Sequence, residues 1–234
     1  MERLDKIIAS QGNYSRRDVK KLISQGRIML NGKVVKKADL KIDEKVDNLK
    51  IDGIEFNFVK NVYLILNKPK GYVSATEDKN DKTVLELLPE QYLNRKIFPA
   101  GRLDKNTTGL MILTDDGVFA HNILSPRKHV KKVYEVVIDI PVTNEMKIGF
   151  ESGVELNDGK CKTAILEITG ENCAKVTLSE GRYHQIKRMF GCFGAKVVEL
   201  NRIKIGNFEL PKDLKLGFCR EVTTEELLKI QEKI

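Results

Sequence analysis

The 234 residues contain no tryptophan, three histidines, four cysteines and six prolines. Cys161, Cys173, Cys192 and Cys219 form no CxxC pair, and three histidines supply no zinc-site spacing. Reduced, partly buried thiols and no bound metal are therefore expected. No apolar run approaches the ~18–20 residues that a membrane span needs. The opening MERLDKIIASQG contains acids and lacks the apolar centre of a signal peptide, so a cytoplasmic protein with no membrane partner is expected. Acidic residues are also in deficit. Asp and Glu total 33 against 41 Lys and Arg, a net charge of +8. That imbalance favours a polyanion, nucleic acid above all, as partner. With 41% hydrophobic residues the chain has a globular composition, long enough for one large domain or two unequal ones.

The charge is uneven. Residues 1–60 carry 14 basic and 9 acidic side chains, and residues 1–37 alone reach +7. Within that stretch, Ser15 followed by Asp18 gives a helix start of the capping-box kind. At ~100° per residue, Arg16, Arg17, Lys20 and Lys21 fall in one arc, with Val19, Leu22 and Ile23 on the other side. One face packs and the other offers four cations to phosphates. Arg3 and Arg27 join these as candidate RNA contacts. Asn31–Gly32 then marks a tight turn between short strands. Residues 2–50 resemble the S-four RNA-binding domain in their two short helices, basic face and turn.

A boundary is expected near residue 60, dividing the chain into 1–60 and 61–234. IDGIEFNFVKN reads as a last short strand and connector, after which VYLIL opens a new apolar strand at Val62. The larger region alternates strand-like stretches (KVYEVVIDI, AKVTLSE) with short helices, one around TVLELL and a closing one over Thr224–Ile234.

Two stretches in this region carry chemistry. GRLDKNTTGL holds one carboxylate, Asp104, between Arg102 and Lys105, just before the apolar run Leu110–Leu113. Nearby positive charge favours the ionised carboxylate, which suits a nucleophile or a stabiliser of positive charge better than a general acid. EGRYHQIKRMFGCFG reads as a glycine turn entering a helix. Ile186, Met189, Phe190 and Phe193 share its anchoring face, and His184, Lys187 and Arg188 share the opposite one. Spacing alone does not bring residues 104 and 187 together. The pair Asp115–Asp116, in TDDG, has the composition of a turn.

Taken together and in order, LNKPKGYV, GRLDKNTTGLMILTDDG, KKVYEV, EGRYHQIKRM and VVELNRIKIG resemble the RsuA family of pseudouridine synthases. The resemblance spans the chain. It implies an α+β protein: a small N-terminal S-four-like RNA-binding domain, then a mixed, mainly antiparallel β-sheet with flanking helices. It also implies isomerisation of a uridine in ribosomal RNA, with no cofactor. Asp104 matches the family's essential aspartate and Tyr134 the tyrosine that packs on the target base. Lys187 matches the cation that pairs with the aspartate, with Arg182 and Arg188 as alternatives. Leu200 matches a buried residue of the pocket floor. Arg102, His184 and Arg188 are expected to contact RNA. The YHQIKRMF and VVEL wording is closer to the small-subunit enzymes, so the expected partner is 16S rRNA or a small-subunit assembly intermediate, met by a monomer.

Three alternatives bear on function. One is action on 23S rRNA, and another is a non-catalytic RNA-binding assembly factor. A metal-dependent nuclease would need clustered carboxylates, and the acids nearest Asp104 in sequence are Glu90 and Asp115.

Overall fold

The computed structural model describes residues 1–43, 46–125 and 130–232. It divides into two compact units, Met1–Val62 with Leu88–Ile97, and Tyr63–Leu87 with Phe98–Ile234.

The first unit runs β1 (Glu2–Arg3), α1 (Leu4–Ser10), α2 (Arg16–Ser24), β2 (Ile28–Leu30), β3 (Lys33–Val34), β4 (Lys41–Ile42), β5 (Leu49–Ile51) and β6 (Ile54–Glu55). Helix α2 starts where its sequence says it should. The Ser15 hydroxyl accepts from the Asp18 amide, and the Asp18 carboxylate accepts from the Ser15 amide at 2.9 Å. Val19, Leu22 and Ile23 are buried with Leu4, Ile7, Ile8 and Ile28 in one apolar cluster, while Arg16, Arg17, Lys20 and Lys21 are exposed. Asn31 and Gly32 both take positive φ, 50° and 79°, which is the tight turn that joins β2 to β3.

The expected single cut near residue 60 does not capture Leu88–Ile97. Asn94 Nδ2 donates to the Gly12 carbonyl at 2.9 Å, and the Arg95 guanidinium donates to the carbonyls of Val59 and Lys60. TVLELL, read as a short helix, forms a single 3₁₀ turn, Val84–Leu87. Pro89 disfavours a helical conformation at Leu88 and stops it there.

The second unit is built on β7 (Tyr63–Lys68), β8 (Phe98–Pro99), β9 (Thr108–Thr114), α3 (Gly117–Leu124), β10 (Lys132–Ile138), α4 (Asn144–Ser152), β11 (Glu155–Leu156), β12 (Gly159–Lys160), β13 (Ile165–Gly170), β14 (Cys173–Leu178), α5 (Gln185–Gly191), β15 (Val197–Ile205), β16 (Phe208–Glu209), β17 (Cys219–Glu221) and α6 (Thr224–Gln231). Its main sheet has the order β13-β14-β10-β15-β9-β7-β17, with β16 on β15 and β8 on β9. Among the described residues, every strand pairing in it is antiparallel except β15 with β9. The sheet is therefore mixed and mainly antiparallel, as expected.

Leu110, Met111, Ile112 and Leu113 of β9 are all fully buried. A strand covered on both faces reads as a continuous apolar run, and each such side chain contributes about 1.5–3 kcal/mol of burial. That rigid strand carries the loop containing Asp104 at its N-terminal end. The Asp115–Asp116 pair closes its other end. Asp116 caps α3 by accepting from the amides of Val118 and Phe119, and it also accepts from the Tyr63 hydroxyl at 2.7 Å. Helix α6 ends at Gln231; the last two residues of its expected range, 233 and 234, lie outside the described residues.

Gly109 marks a close approach between β9 and β15. It has φ +103°, and a Cβ there would meet the Arg202 carbonyl oxygen at 2.3 Å and the Arg202 nitrogen at 2.7 Å. Only glycine lets β15 run parallel to β9 at this approach. Gly109→Ala should destabilise the protein by more than about 2 kcal/mol. Gly117→Ala, in a helix with open space around it, should be neutral or slightly stabilising. Thermal unfolding of the two variants side by side checks this.

Candidate active site

Asp104 sits in the loop between β8 and β9, and residues 68–74 fasten that loop from one side. Lys68 is the last residue of β7 and is completely buried. Its ammonium donates to four backbone carbonyls: Pro69 at 3.0 Å, Asp104 at 3.1 Å, Lys105 at 3.2 Å and Thr107 at 2.9 Å. The Gly71 amide donates to the Lys105 carbonyl at 2.9 Å. The Ser74 hydroxyl donates to the Leu103 carbonyl at 2.7 Å and accepts from the Leu103 amide at 2.9 Å. Within the loop, the Thr107 amide donates to the Asp104 carbonyl at 3.0 Å. The stretch LNKPKGYVS thus shapes the aspartate loop. Burial pushes the Lys68 ammonium down to about 8, against the pull of the Asp104 carboxylate.

The Asp104 carboxylate is a quarter exposed and receives its cation from far along the chain. Lys187 Nζ lies 2.8 Å from Oδ2. His184 Nε2 is 3.6 Å from Oδ1, beyond hydrogen-bond reach. The flanking bases do not serve this purpose: Lys105 pairs with Asp81 at 2.5 Å, and Arg102 is exposed. Lys187 is delivered by α5, whose Ile186, Met189 and Phe190 are buried against the core. The helix begins one residue later than the sequence pattern suggests. His184 takes a left-handed conformation before it, with φ +49°, so it lies at the entry rather than on the helix face. Buried Gln185 braces this entry, accepting from the Arg182 amide at 2.9 Å and donating to Glu180 at 2.7 Å.

The structure separates Lys187 from its two alternatives. The Arg182 guanidinium donates to the carbonyls of Gly159 at 2.7 Å and Lys160 at 2.6 Å. Arg188 forms a two-pronged pair with Asp158. Both arginines hold the β11–β12 hairpin, and neither is paired with Asp104. Arg3 and Arg27 are likewise engaged, in two-pronged pairs with Asp5 and Asp52.

A cavity of about 720 Å³ opens over Asp104, lined by Tyr134 and Lys132 from β10, Leu200 and Arg202 from β15, and Ile186 from α5. Tyr134 lies opposite Arg202 in the β10–β15 register and is partly buried against the core, and Leu200 is buried. The opening carries the exposed Tyr183 ring stacked on His184, with centroids 3.8 Å apart. This arrangement gives an anion beside a cation, a flat aromatic ring and an aliphatic wall, around a space large enough for a nucleobase. Among the described residues no cluster of His, Cys, Asp and Glu could hold a metal ion.

The sequence profile of the family described as RNA pseudouridylate synthase matches residues 62–191, more than half of the chain. This chain belongs to that family. The S4 domain profile matches residues 2–47, within the first unit. An RNA pseudouridine synthase of Bacillus subtilis is 40% identical over 98% of both chains. Ribosomal small subunit pseudouridine synthase A of Escherichia coli is 41% identical, with 97% of this chain and 99% of that protein covered. A solved structure of a pseudouridylate synthase superposes with a TM-score of 0.69 at 36% identity, covering 98% of this chain and all of the other. The chain is thus an RNA pseudouridine synthase of the RsuA type, an isomerase with an N-terminal S4 domain.

Three residues of the site went unread in the sequence: Lys68, Lys132 and Arg202. The available signal was a cation placed in, or at the end of, an otherwise apolar strand, as in VYLILNK. Lys68→Met should leave several loop carbonyls without a donor, lowering stability by about 1–3 kcal/mol. Its single-turnover rate should fall while RNA affinity stays within about twofold, because a catalytic group displaced by ~1 Å costs rate rather than binding. Denaturant melts and single-turnover kinetics of the purified variant check both parts.

Proposed function

We infer that this enzyme isomerises a single uridine of 16S rRNA to pseudouridine, with Asp104 as its essential carboxylate. The observation that carries the reading is Asp104, paired with Lys187 at 2.8 Å, in a cavity that Tyr134 and Leu200 also line. The substrate choice is supported by similarity to enzymes named for the ribosomal small subunit in Escherichia coli and Yersinia pestis, at 41% and 40% identity.

The reaction breaks the C1′–N1 bond of uridine, its electron pair remaining on uracil. The base turns, C1′ bonds to C5, the C5 proton leaves and N1 regains one. Nothing is added overall and no electrons are exchanged with a cofactor. Asp104 supplies the anion at the reacting sugar or base, and Lys187 pairs with it and holds it in place. Tyr134 stacks on the base, which must leave its RNA stack to be reached, and Leu200 excludes water so that the detached uracil stays in place.

Mapping pseudouridine in 16S and 23S transcripts after incubation with the enzyme tests the reading. One new site in 16S, absent with Asp104→Asn, is expected, with RNA affinity of the variant nearly unchanged. A 23S site instead would overturn the substrate, and substantial turnover by Asp104→Asn would overturn the role of the aspartate. Repeating the incubation with small-subunit precursors extends the test to assembling particles.

RNA docking falls to the basic face of α2. Replacing Arg16, Arg17, Lys20 and Lys21 together by Gln should weaken rRNA binding. It should also flatten the dependence of log affinity on log salt, by roughly 0.7–0.9 for each phosphate that is no longer neutralised. Binding titrations across a salt series check this, and an unchanged slope would place docking elsewhere. Sedimentation of the free enzyme should report a monomer.

A further inference from the structure

Arg202 is 4% exposed and lines the cavity over Asp104. Its Nε donates to the Leu110 carbonyl at 2.7 Å, which fixes the guanidinium against β9. Its Nη2 is the one buried side-chain nitrogen or oxygen among the described residues that has no hydrogen-bond partner. Leaving such a donor unmade is costly, more so on a charged group. The cost is aggravated by its neighbours. Lys132, also nine-tenths buried, donates to the Ile123 carbonyl at 3.2 Å, and Lys68 is fully buried.

The carboxylates lining the cavity do not relieve this. Asp104 is held by Lys187, and Glu180 accepts from Gln185 and from the Lys162 amide. Three cations thus stand in or beneath the floor of a site whose acids are engaged elsewhere. A buried cationic floor, two of whose residues line the cavity, suits an anionic acceptor.

We propose that the Arg202 guanidinium donates to a carbonyl oxygen of the target uracil and stabilises the negative charge that the ring takes up when the C1′–N1 bond breaks. This rests on the reading of the cavity as the active site. The bond's electron pair stays on uracil and spreads onto its carbonyl oxygens, so the interaction strengthens as the bond lengthens. Depth selects the base over a phosphate. Arg202 lies across from Tyr134 and two residues along β15 from Leu200, and the part of a nucleotide that reaches such a floor is the base taken out of its stack. Holding the detached ring by one edge also leaves it free to turn, so that C5 replaces N1 opposite C1′.

The test uses the full-length enzyme and a synthetic RNA spanning the mapped uridine. That target is made as uridine, as 2-thiouridine, as 4-thiouridine, or with a methylphosphonate on its 3′ side. Arg202→Gln should slow single turnover by roughly 100-fold, with RNA affinity changed less than about threefold. Arg202→Lys should recover part of the rate, and it serves as the working variant if the glutamine form unfolds on melting. Sulfur is a weaker acceptor than oxygen, so one of the two thio substitutions should slow the wild type and make little further difference in the variants. Equal thio effects in wild type and variants would overturn the proposal. So would coupling to the methylphosphonate alone, which would assign Arg202 to a phosphate, or a full rate in Arg202→Gln. Failure of the active-site reading is separable, because it would appear as turnover by Asp104→Asn on the same RNA.

Discussion

A buried ammonium beneath a loop of backbone carbonyls holds this site in shape. Lys68 reaches four carbonyl oxygens within 3.2 Å, three of them in the loop that carries Asp104. Loop carbonyls turned inward would otherwise be unsatisfied, and a buried ammonium would otherwise be unsolvated. Each resolves the other's difficulty. The loop's fixed path leaves the Asp104 side chain on the cavity side, and the rigid, doubly covered β9 behind it keeps that position. Gly71, Ser74 and Thr107 then finish a hydrogen-bonded frame in which the carboxylate is the part left available for chemistry.

Around that frame the charges are arranged by depth. Lys187 meets Asp104 at the level of the cavity, while Arg202, Lys132 and Lys68 lie buried in or below its floor. Burial pushes Lys68 and Lys132 down to about 8, with the Arg202 charge contributing in both cases. Such crowding of like charge opposes folding. It is tolerated where the surrounding elements over-determine the position, here through β10, β15 and the close approach at Gly109. The same crowding creates a positive floor under a cavity with aromatic and aliphatic residues in its walls, and charges buried there interact more strongly than they would in water.

Much of the local structure was legible in short stretches. The capping box at Ser15 and Asp18, the Asn31–Gly32 turn, the apolar face of α5 and the buried run of β9 follow from rules that act within one or two turns of chain. The family resemblance named Asp104, Tyr134, Lys187 and Leu200, and the fold places Asp104, Tyr134 and Leu200 around one cavity with Lys187 paired to Asp104. Partner choice among neighbouring cations was not legible. Arg102 and Lys105 flank Asp104 in sequence, and Arg182 and Arg188 lie beside Lys187, yet all four of these neighbours do other work or remain at the surface. Sequence proximity says little about which charge a loop side chain will meet, because that depends on the direction in which its loop is fastened.

Periodicity, capping and composition are local properties, and they suffice for most element types, the basic face of the first unit and the lack of metal-site spacings, while the pseudouridine synthase reading came from the family resemblance of the motifs. The folded chain pairs Lys187 rather than Arg182 or Arg188 with Asp104, turns Lys68 into an anchor rather than a surface lysine, and buries Arg202 beside the cavity with one nitrogen unpartnered. Those outcomes arise where β7, β9, β10 and β15 come into register and bring residues from distant parts of the chain into hydrogen-bond range of one loop and one strand. Burial then fixes the worth of each charge, and burial exists only once the strands have met.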